Sequence, residues 1–258
     1  MIQRQDQNGV AVLRIEHGKA NAIDTDLFDA LNDHLDALET SDIEAVVLTG
    51  SGSNFSAGVD LFQVIEGGAD YLRSFLPALS NGVKRLFALP KPIVAAVNGH
   101  AIAGGCVLAA ACDYRVMTSG KGKIGVTELL VGVPFPAAAM EVLRFHLPSP
   151  VAQELIYSGR LVSSSEAVDI GWVERLAAPD RVVEEAVAQA RRWGRLSSSA
   201  FAITKHQLRH EALDRIEQYE SHLDDEILGI WSEPATLDGI RAFMEATVGK
   251  TAGPKESA

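Results

Sequence analysis

The 258-residue sequence contains only two cysteines, Cys106 and Cys112, and both lie in one apolar stretch. Two thiols cannot build a disulfide scaffold, and neither a CxxC pair nor a histidine spacing typical of a zinc site accompanies them. We therefore expect small buried thiols that pack as apolar side chains, and no metal site.

Basic residues are also scarce, with 23 Lys and Arg against 34 Asp and Glu and a net charge of −11. A nucleic-acid-binding protein needs a basic face that neutralises phosphates, so this composition argues against that class. One local cluster is mildly basic, but its spacing predicts the solvent-exposed side of a helix; it consists of Lys205, His206, Arg209 and His210. We expect no nucleic-acid partner.

Long apolar runs are few. The N-terminal residues, MIQRQDQNGV, lack the apolar core of a secretory signal. The stretch 93–112 approaches the length of a membrane span, but Asn98, His100 and the Gly104-Gly105 pair interrupt it. A strand, a tight glycine turn and a buried helix explain this pattern better. We therefore expect a cytoplasmic protein without a membrane segment.

The composition is that of a globular protein, with 47% apolar and 22% charged residues. Strand and helix patterns alternate as far as Pro134, and helical patterns dominate beyond it. This order predicts an α/β core at 1–197 and a helical C-terminal region at 198–258. The predicted elements are a hairpin at 2–15 turning at Asn8-Gly9, a helix capped by Thr25, strands at 45–49, 93–97 and 114–117, and helices at 69–88 (interrupted near Pro77), 105–111, 136–146, 150–158, 164–169, 180–194 and 198–247.

Two buried strands each lead into a turn of small residues. The first turn reads NFSAGVDL at 54–61, and the second reads NGHAIAGG at 98–105. Backbone N–H groups at such turns are not shielded by side chains. One N–H from each turn, directed at a single point, would form an oxyanion hole, and the helix after Gly105 would add its positive end. The alternative is that both turns are simple connections.

These motifs resemble the signature of the crotonase (enoyl-CoA hydratase/isomerase) superfamily: FSAGVDL, and about forty residues later PIVAAVNGHAIAGGCVLAAACDYRV. KANAID at 19–24 resembles the early substrate loop of that family, and TELLVGVP at 127–134 resembles its second catalytic segment. The four motifs follow the family order and extend over essentially the whole chain. No single motif would be as specific.

The resemblance implies a fold and a set of partners. The fold would be a crotonase-like spiral of repeated ββα units with a helical C-terminal region. The substrate would be an acyl-CoA thioester, with no cofactor beyond the coenzyme A of the substrate itself. The chain would form a homotrimer or a dimer of trimers, and apolar residues of the tail could serve those contacts: Trp231, Phe243 and Met244.

Carried over residue by residue, the resemblance places the oxyanion donors at the backbone N–H groups of Val59 and Gly104. Phe62 stands where relatives often carry Lys or Arg, so a charge contact to the CoA phosphates is missing. The other predicted substrate-binding residues are Lys19, Ala20 and Ala22 at the pantetheine and phosphate end, Ala57, Asp60 and Leu61 along the adenine and pantetheine path, and Gly58, Gly105 and Val107 near the hole.

Hydratases of this family use two glutamates, and the chain retains one of them. The position of the first is Val107, which can neither activate water nor move a proton. The position of the second is Glu128, and a carboxyl in apolar surroundings acquires a raised pKa that suits proton transfer near neutrality. The alternative for Glu128 is a surface glutamate. Glu141 is a fallback carboxylate, better explained as the helix-face partner of Arg144.

One carboxylate and one oxyanion hole suffice for a 1,3-proton shift, so the sequence favours double-bond isomerisation over hydration. Two alternatives stay open. The chain could bind acyl-CoA without chemistry, as Val107 and Phe62 suggest, or it could catalyse another reaction of the superfamily, such as thioester hydrolysis, decarboxylation or dehalogenation. His100 is expected to be structural rather than to shape the substrate, and Ser56 lacks the G-x-S-x-G context of a nucleophile.

Overall fold

The computed structural model describes residues 1–248, and the predicted region 198–258 is therefore covered only up to residue 248. Within this part, the strands β1 to β10 span Ile2–Gln7, Val10–Ile15, Ala45–Gly50, Asn54–Ser56, Ile93–Val97, His100–Ile102, Tyr114–Thr118, Lys123–Gly125, Val162–Ser163 and Arg175–Ala177. The helices α1 to α9 span Thr25–Glu39, Leu61–Ala88, Gly104–Ala111, Ala137–His146, Ser149–Ser158, Ser164–Asp169, Val182–Gly194, Ser198–Trp231 and Pro234–Val248, and a 3₁₀ helix covers Glu128–Val131.

The strands form two sheets. The larger has the order β1-β2-β3-β5-β7-β10, and the smaller has the order β4-β6-β8-β9. Neighbouring strands are parallel except in the pairs β1–β2 and β8–β9. Each of β3, β5 and β7 is followed by a short strand of the smaller sheet and then by a helix. These are the predicted repeated ββα units, and the predicted α/β fold with a helical C-terminal region is confirmed.

The buried strands follow from the apolar runs. Every residue of β3 and β5 is buried, as expected for parallel strands covered on both faces. The hairpin also forms as predicted, because Asn8 and Gly9 both adopt the positive φ angles, 51° and 80°, that a tight turn of this kind requires. The predicted strands at 45–49, 93–97 and 114–117 correspond to β3, β5 and β7.

Two details of the first helices differ from the prediction. The carboxylate of Asp24, not the hydroxyl of Thr25, caps α1 and accepts the N–H of Leu27 at 2.8 Å. Helix α2 begins at residue 61, and its non-helical point is Gly68 (φ 52°, ψ −141°) rather than Pro77. Glycine reaches a positive φ at little cost, which explains why the interruption lies at Gly68.

The predicted single tail helix at 198–247 is two helices. Helix α8 ends at Trp231, and α9 begins at Pro234. Proline has no N–H to donate to a preceding turn, so it starts a helix more readily than it continues one. The break lets α9 fold back onto the core, where it contacts α2 and the 3₁₀ helix.

The basic cluster on α8 is only half exposed. His206 and His210 face solvent as predicted, but Lys205 and Arg209 are buried, at 5% and 4% exposure, which corrects that prediction. Lys205 Nζ lies 2.8 Å from Asp113 Oδ2, and Arg209 Nη2 lies 2.9 Å from Asp113 Oδ1. Burial lowers the pKa of Lys205 to about 8, although Asp113 favours its charged form.

This buried triad fastens the C-terminal helices to the core. The Arg209 guanidinium also donates to the Phe87 carbonyl and stacks 4.0 Å from the centre of the Phe87 ring. None of the helices between residues 1 and 248 is long and apolar enough to cross a bilayer.

Replacing Asp113 by Ala should strongly destabilise the fold, because it leaves two buried cations without their counter-charge. Breaking a buried ion pair in this way costs about 3–5 kcal/mol. Urea unfolding measures the loss. The control is Asp70→Ala, which breaks the exposed Asp70–Arg73 pair and should cost less than about 1 kcal/mol. Equal losses in the two variants would contradict the anchoring role of the triad.

Candidate active site

A cavity of about 470 Å³ lies where the two glycine turns, the 3₁₀ helix and α9 meet. Lys19 does not line it: that side chain is exposed next to Ala20. Gly105 lies behind the wall, where an added Cβ would be 2.3 Å from the Ser56 carbonyl oxygen. The other predicted site residues all line the cavity: Ala20, Ala22, Ala57, Gly58, Val59, Asp60, Leu61, Gly104, Val107 and Glu128.

The two turns approach each other at glycine positions. Gly58 has a φ of 93°, and a Cβ added there would lie 2.8 Å from the carbonyl oxygen of Ile102 and 3.4 Å from the nitrogen of Gly104. Any side chain would therefore separate the turns. The pairing of β4 with β6 in the smaller sheet fixes this approach, because each of these strands lies within one of the two turn segments.

The Val59 amide is directed by its neighbours. Val59 forms an isolated parallel bridge with Ile23, in which the Ile23 N–H donates to Gly58 O at 2.9 Å and the Asp60 N–H donates to Ile23 O at 2.8 Å. In the trans peptide between Gly58 and Val59, the C=O and the N–H point in opposite directions. The Val59 N–H therefore points away from Ile23.

The second amide opens a helix. Gly104 is the first residue of α3, and N–H groups of a first helical turn have no partner inside the helix. Within residues 1–248, neither the Val59 N–H nor the Gly104 N–H donates to a protein acceptor. Two free amides from adjacent turns thus border one cavity, and an oxyanion hole consists of such donors directed at a single point.

Ala103 precedes this helix in a strained conformation, with φ 51° and ψ −125°. Side-chain-bearing residues rarely adopt such angles, which cost about 1–3 kcal/mol and cluster at functional sites. Two hydrogen bonds stabilise this conformation. The Ala103 N–H donates to Gly125 O at 2.8 Å, and the Cys106 N–H donates to Ala103 O at 2.8 Å. No residue type indicates this conformation beforehand, because alanine does not mark a position of positive φ.

Two asparagines that the sequence analysis did not single out tie the loops together. Asn21 is fully buried with a φ of 49°, and its amide donates to Asn54 O at 2.9 Å. Asn98 accepts the Gly50 N–H at 2.9 Å, again through its side chain. Asparagine tolerates positive φ and bonds to nearby backbone, so Asn21 and Asn98 were available signals.

Glu128 begins the 3₁₀ helix and faces the cavity. Its Oε2 atom is buried and has no hydrogen-bond partner among the described residues. Burial raises the pKa of Glu128 to about 7, opposed by the backbone N–H groups of Glu128 and Thr127, which favour the charged form. The alternative prediction, that Glu128 is a surface glutamate, is therefore wrong. The group can hold or release a proton near neutral pH.

The described residues of the cavity wall include one further carboxylate, and a helix cap engages one of its oxygens. Asp60 Oδ1 accepts the N–H groups of Phe62 and Gln63 and so caps α2. Val107, on α3, presents an apolar side chain at 2% exposure. Of the two lining carboxyl groups, only Glu128 has a buried oxygen without a hydrogen-bond partner among the described residues.

The remaining candidates have structural surroundings. Glu141 is buried and pairs with Arg144 at 2.7 Å, as expected, and also with Arg215 at 2.6 Å. Ser56 Oγ accepts the Gly58 N–H at 3.1 Å and so shapes the first turn. His100 lies in β6 and is absent from the cavity lining.

The C-terminal residues that could serve subunit contacts border the cavity. Trp231, Phe243 and Met244 line the cavity of their own chain, because α9 folds back onto α2. The Trp231 indole N–H donates to Pro134 O at 3.0 Å, which fixes this wall. The exposed Phe62 also borders the cavity.

The family model described as enoyl-CoA hydratase/isomerase matches residues 5–249 of the chain. A Thermus thermophilus protein with an enoyl-CoA hydratase name is 35% identical over 252 residues, covering 95% of this chain and 98% of that protein. A Mycobacterium tuberculosis structure described as an enoyl-CoA isomerase is 30% identical with a TM-score of 0.76, covering 93% and 97% of the two chains.

A third comparison concerns the fold alone. The human mitochondrial Δ3-Δ2-enoyl-CoA isomerase is 22% identical but superposes with a TM-score of 0.92, covering 96% of this chain and 98% of that one. The spiral and its helical tail are thus shared at low sequence identity.

The raised pKa of Glu128 predicts that the free energy of unfolding of the wild type depends on pH. The folded state holds the proton more tightly than the unfolded state, so stability falls as pH rises from about 4.5 to about 7. Glu128→Gln removes this dependence. The variant should gain up to about 3 kcal/mol over the wild type between pH 4.5 and pH 8, measured by urea unfolding.

The control is Glu154→Gln, for which the sign is opposite. The exposed Arg160 guanidinium lowers the pKa of Glu154, so this variant should lose stability above pH 4.5 and match the wild type in acid. A pH-independent difference between Glu128→Gln and the wild type would show that Glu128 is not desolvated.

Proposed function

The chain belongs to the enoyl-CoA hydratase/isomerase family, and we propose from this premise that it shifts the double bond of an enoyl-CoA thioester through an enolate. The observation that carries the proposal is the unpartnered carboxyl of Glu128 in one cavity with the free amides of Val59 and Gly104. A base and an oxyanion hole are the two groups that this chemistry requires.

The first step removes a proton from C2 of a 3-enoyl-CoA. The Glu128 carboxylate takes the proton, the C2–H electron pair becomes part of a C1=C2 bond, and the carbonyl π electrons move to oxygen. The Val59 and Gly104 amides stabilise this oxyanion, each donor contributing about 3 kcal/mol in working sites of this kind. The positive end of α3 adds to their effect.

The second step returns the proton to C4. The oxyanion reforms the carbonyl, the C1=C2 pair becomes C2=C3, and the former C3=C4 pair takes the proton from Glu128. The product has the same composition as the substrate. A carboxyl with a pKa near 7 suits both halves, because neither protonation state is strongly favoured at neutral pH.

Hydration is the less suitable reaction for this cavity. It needs a group that activates water in addition to the group that delivers the proton, and Val107 occupies the position where the resemblance implies the other glutamate. Glu128 would have to perform both tasks. We therefore favour isomerisation, although relatives carry hydratase as well as isomerase names.

A second candidate is acyl-CoA binding without chemistry. Val107 and the exposed Phe62 favour it, since neither supplies a catalytic or phosphate-binding group. The buried, unpartnered Glu128 argues against it, because a binder gains nothing from a desolvated carboxyl.

The test is turnover of a panel of 2-enoyl- and 3-enoyl-CoA esters with mass analysis of the products. The wild type should convert 3-enoyl esters to products of unchanged mass, with kcat/KM rising as pH increases through about 7. Glu128→Gln should lower turnover about 10³-fold, within the range for losing an acid–base group, and should still bind the ester.

Glu154→Gln serves as the control and should retain wild-type turnover, because its side chain is exposed. Retained activity in Glu128→Gln would remove this residue from the mechanism. Products heavier by one water would establish a hydratase. Binding without conversion of any ester would establish the non-catalytic candidate.

A further inference from the structure

The direction of the Val59 amide depends on a third chain segment, which contains Ile23. The Ile23 N–H donates to Gly58 O at 2.9 Å, and the Asp60 N–H donates to Ile23 O at 2.8 Å. The Ile23 side chain also reaches the second turn, where a Cβ added to Gly104 would lie 3.1 Å from Ile23 Cδ1. A displacement of Ile23 would therefore turn the Val59 N–H away from its present direction.

The residue after Ile23 is a buried carboxylate, Asp24, with donors from three different places in the chain. Its Oδ1 atom accepts the N–H of Leu27 at 2.8 Å. Its Oδ2 atom lies 2.6 Å from His17 Nε2 and 3.0 Å from Gln63 Nε2. A carboxylate can only accept hydrogen bonds, so both of these nitrogen atoms donate.

The two donors at Oδ2 come from opposite sides of the Ile23 segment, and we call His17, Asp24 and Gln63 the Asp24 cluster. Gln63 lies in the first turn of α2, so its bond joins the start of α2 to the start of α1. His17 precedes the segment, and its own N–H donates to Asn21 Oδ1 at 3.1 Å. Both ends of the Ile23 segment are thus fixed by side-chain bonds.

His17 and Gln63 have no direct access to the reacting atoms. Both are half-buried, and neither belongs to the cavity wall that the described residues form. Any effect of these two side chains on the chemistry must therefore pass through Asp24 and the backbone that follows the first strand–turn unit.

We propose that His17 and Gln63 are positioning residues, which hold Asp24 and thereby direct the Val59 N–H at the thioester oxygen. The inference rests on the proposed function, because it concerns an amide that would stabilise the enolate. Hydrogen bonds weaken steeply as they lose alignment, and an oxyanion hole acts mainly on the charge that develops in the transition state. Loss of either donor should therefore lower kcat more than it changes KM.

The variants His17→Leu and Gln63→Leu each remove one donor and introduce a side chain of similar size. His17→Gln is the conservative variant, because a glutamine amide keeps an N–H for Asp24. The matched control is His34→Leu. His34 is also half-buried, but its ring lies 3.4 Å from the carbonyl oxygen of Ile2 and not beside Asp24.

The experiment measures kcat and KM for a 3-enoyl-CoA ester and the C=O stretching frequency of bound, ¹³C-labelled hexanoyl-CoA, which does not react. Each leucine variant at the Asp24 cluster should lower kcat about tenfold, part of the loss for a missing oxyanion donor, and change KM less than about twofold. The carbonyl frequency should lie closer to its value in water. His17→Gln should restore most of the turnover, and His34→Leu should match the wild type.

A wild-type carbonyl frequency in both leucine variants would overturn the positioning role, whatever their turnover, and would leave the proposed function intact. Failure of His17→Gln to restore turnover would overturn it for His17. The frequency is read from folded, ester-bound protein, and Gln63→Leu supplies it if His17→Leu does not fold.

A wild type that converts no ester would overturn the proposed function alone, since the carbonyl frequency of bound hexanoyl-CoA would still decide the role of the Asp24 cluster. A wild type that binds no ester would overturn both.

Discussion

The cavity exists because two backbone turns approach each other closely. Gly58 leaves no room for a Cβ beside Ile102 and Gly104, so the two turns can lie together only if this position is glycine. Neighbouring strands of the larger sheet, β3 and β5, bring the turns to one edge, and the pairing of β4 with β6 brings them into register. The fold supplies two free amides without any catalytic side chain in either turn.

The proposed chemistry also depends on a desolvated carboxyl group, that of Glu128. Glu128 acquires a pKa of about 7 from burial alone, without a neighbouring anion. Val107 and the wall from α9 belong to the same cavity lining as Glu128. Burial in this cavity therefore tunes the one group that we propose to transfer the proton.

Much of this was predictable from the sequence, and the failures have physical causes. The apolar runs of β3 and β5 and their small-residue turns identified the cavity, because buried parallel strands leave a continuous apolar signal. The burial of Lys205 and Arg209 was not predictable, since their partner Asp113 lies about ninety residues earlier and charged residues on a helix normally face water. The positive φ of Ala103 was not predictable either, because no nearby residue type indicates it.

The role of Phe243 was missed for a related reason. An amphipathic pattern shows that a helix buries one face, but it does not show whether that face covers its own core or a second subunit. The turn before Pro234 decides this by directing α9 back onto the cavity. The predicted trimer or dimer of trimers, and the division of the chain at residues 197 and 198, stay predictions.

The most direct test of the central claim is the stretching frequency of the thioester carbonyl of bound, ¹³C-labelled hexanoyl-CoA, measured by isotope-edited vibrational spectroscopy. Two amides donating to the carbonyl oxygen weaken the C=O bond. We expect a frequency clearly below that of the same ester in water, and a smaller shift in Gly58→Ala, where the turns are forced apart. A bound ester with the frequency it has in water would contradict the shared oxyanion hole.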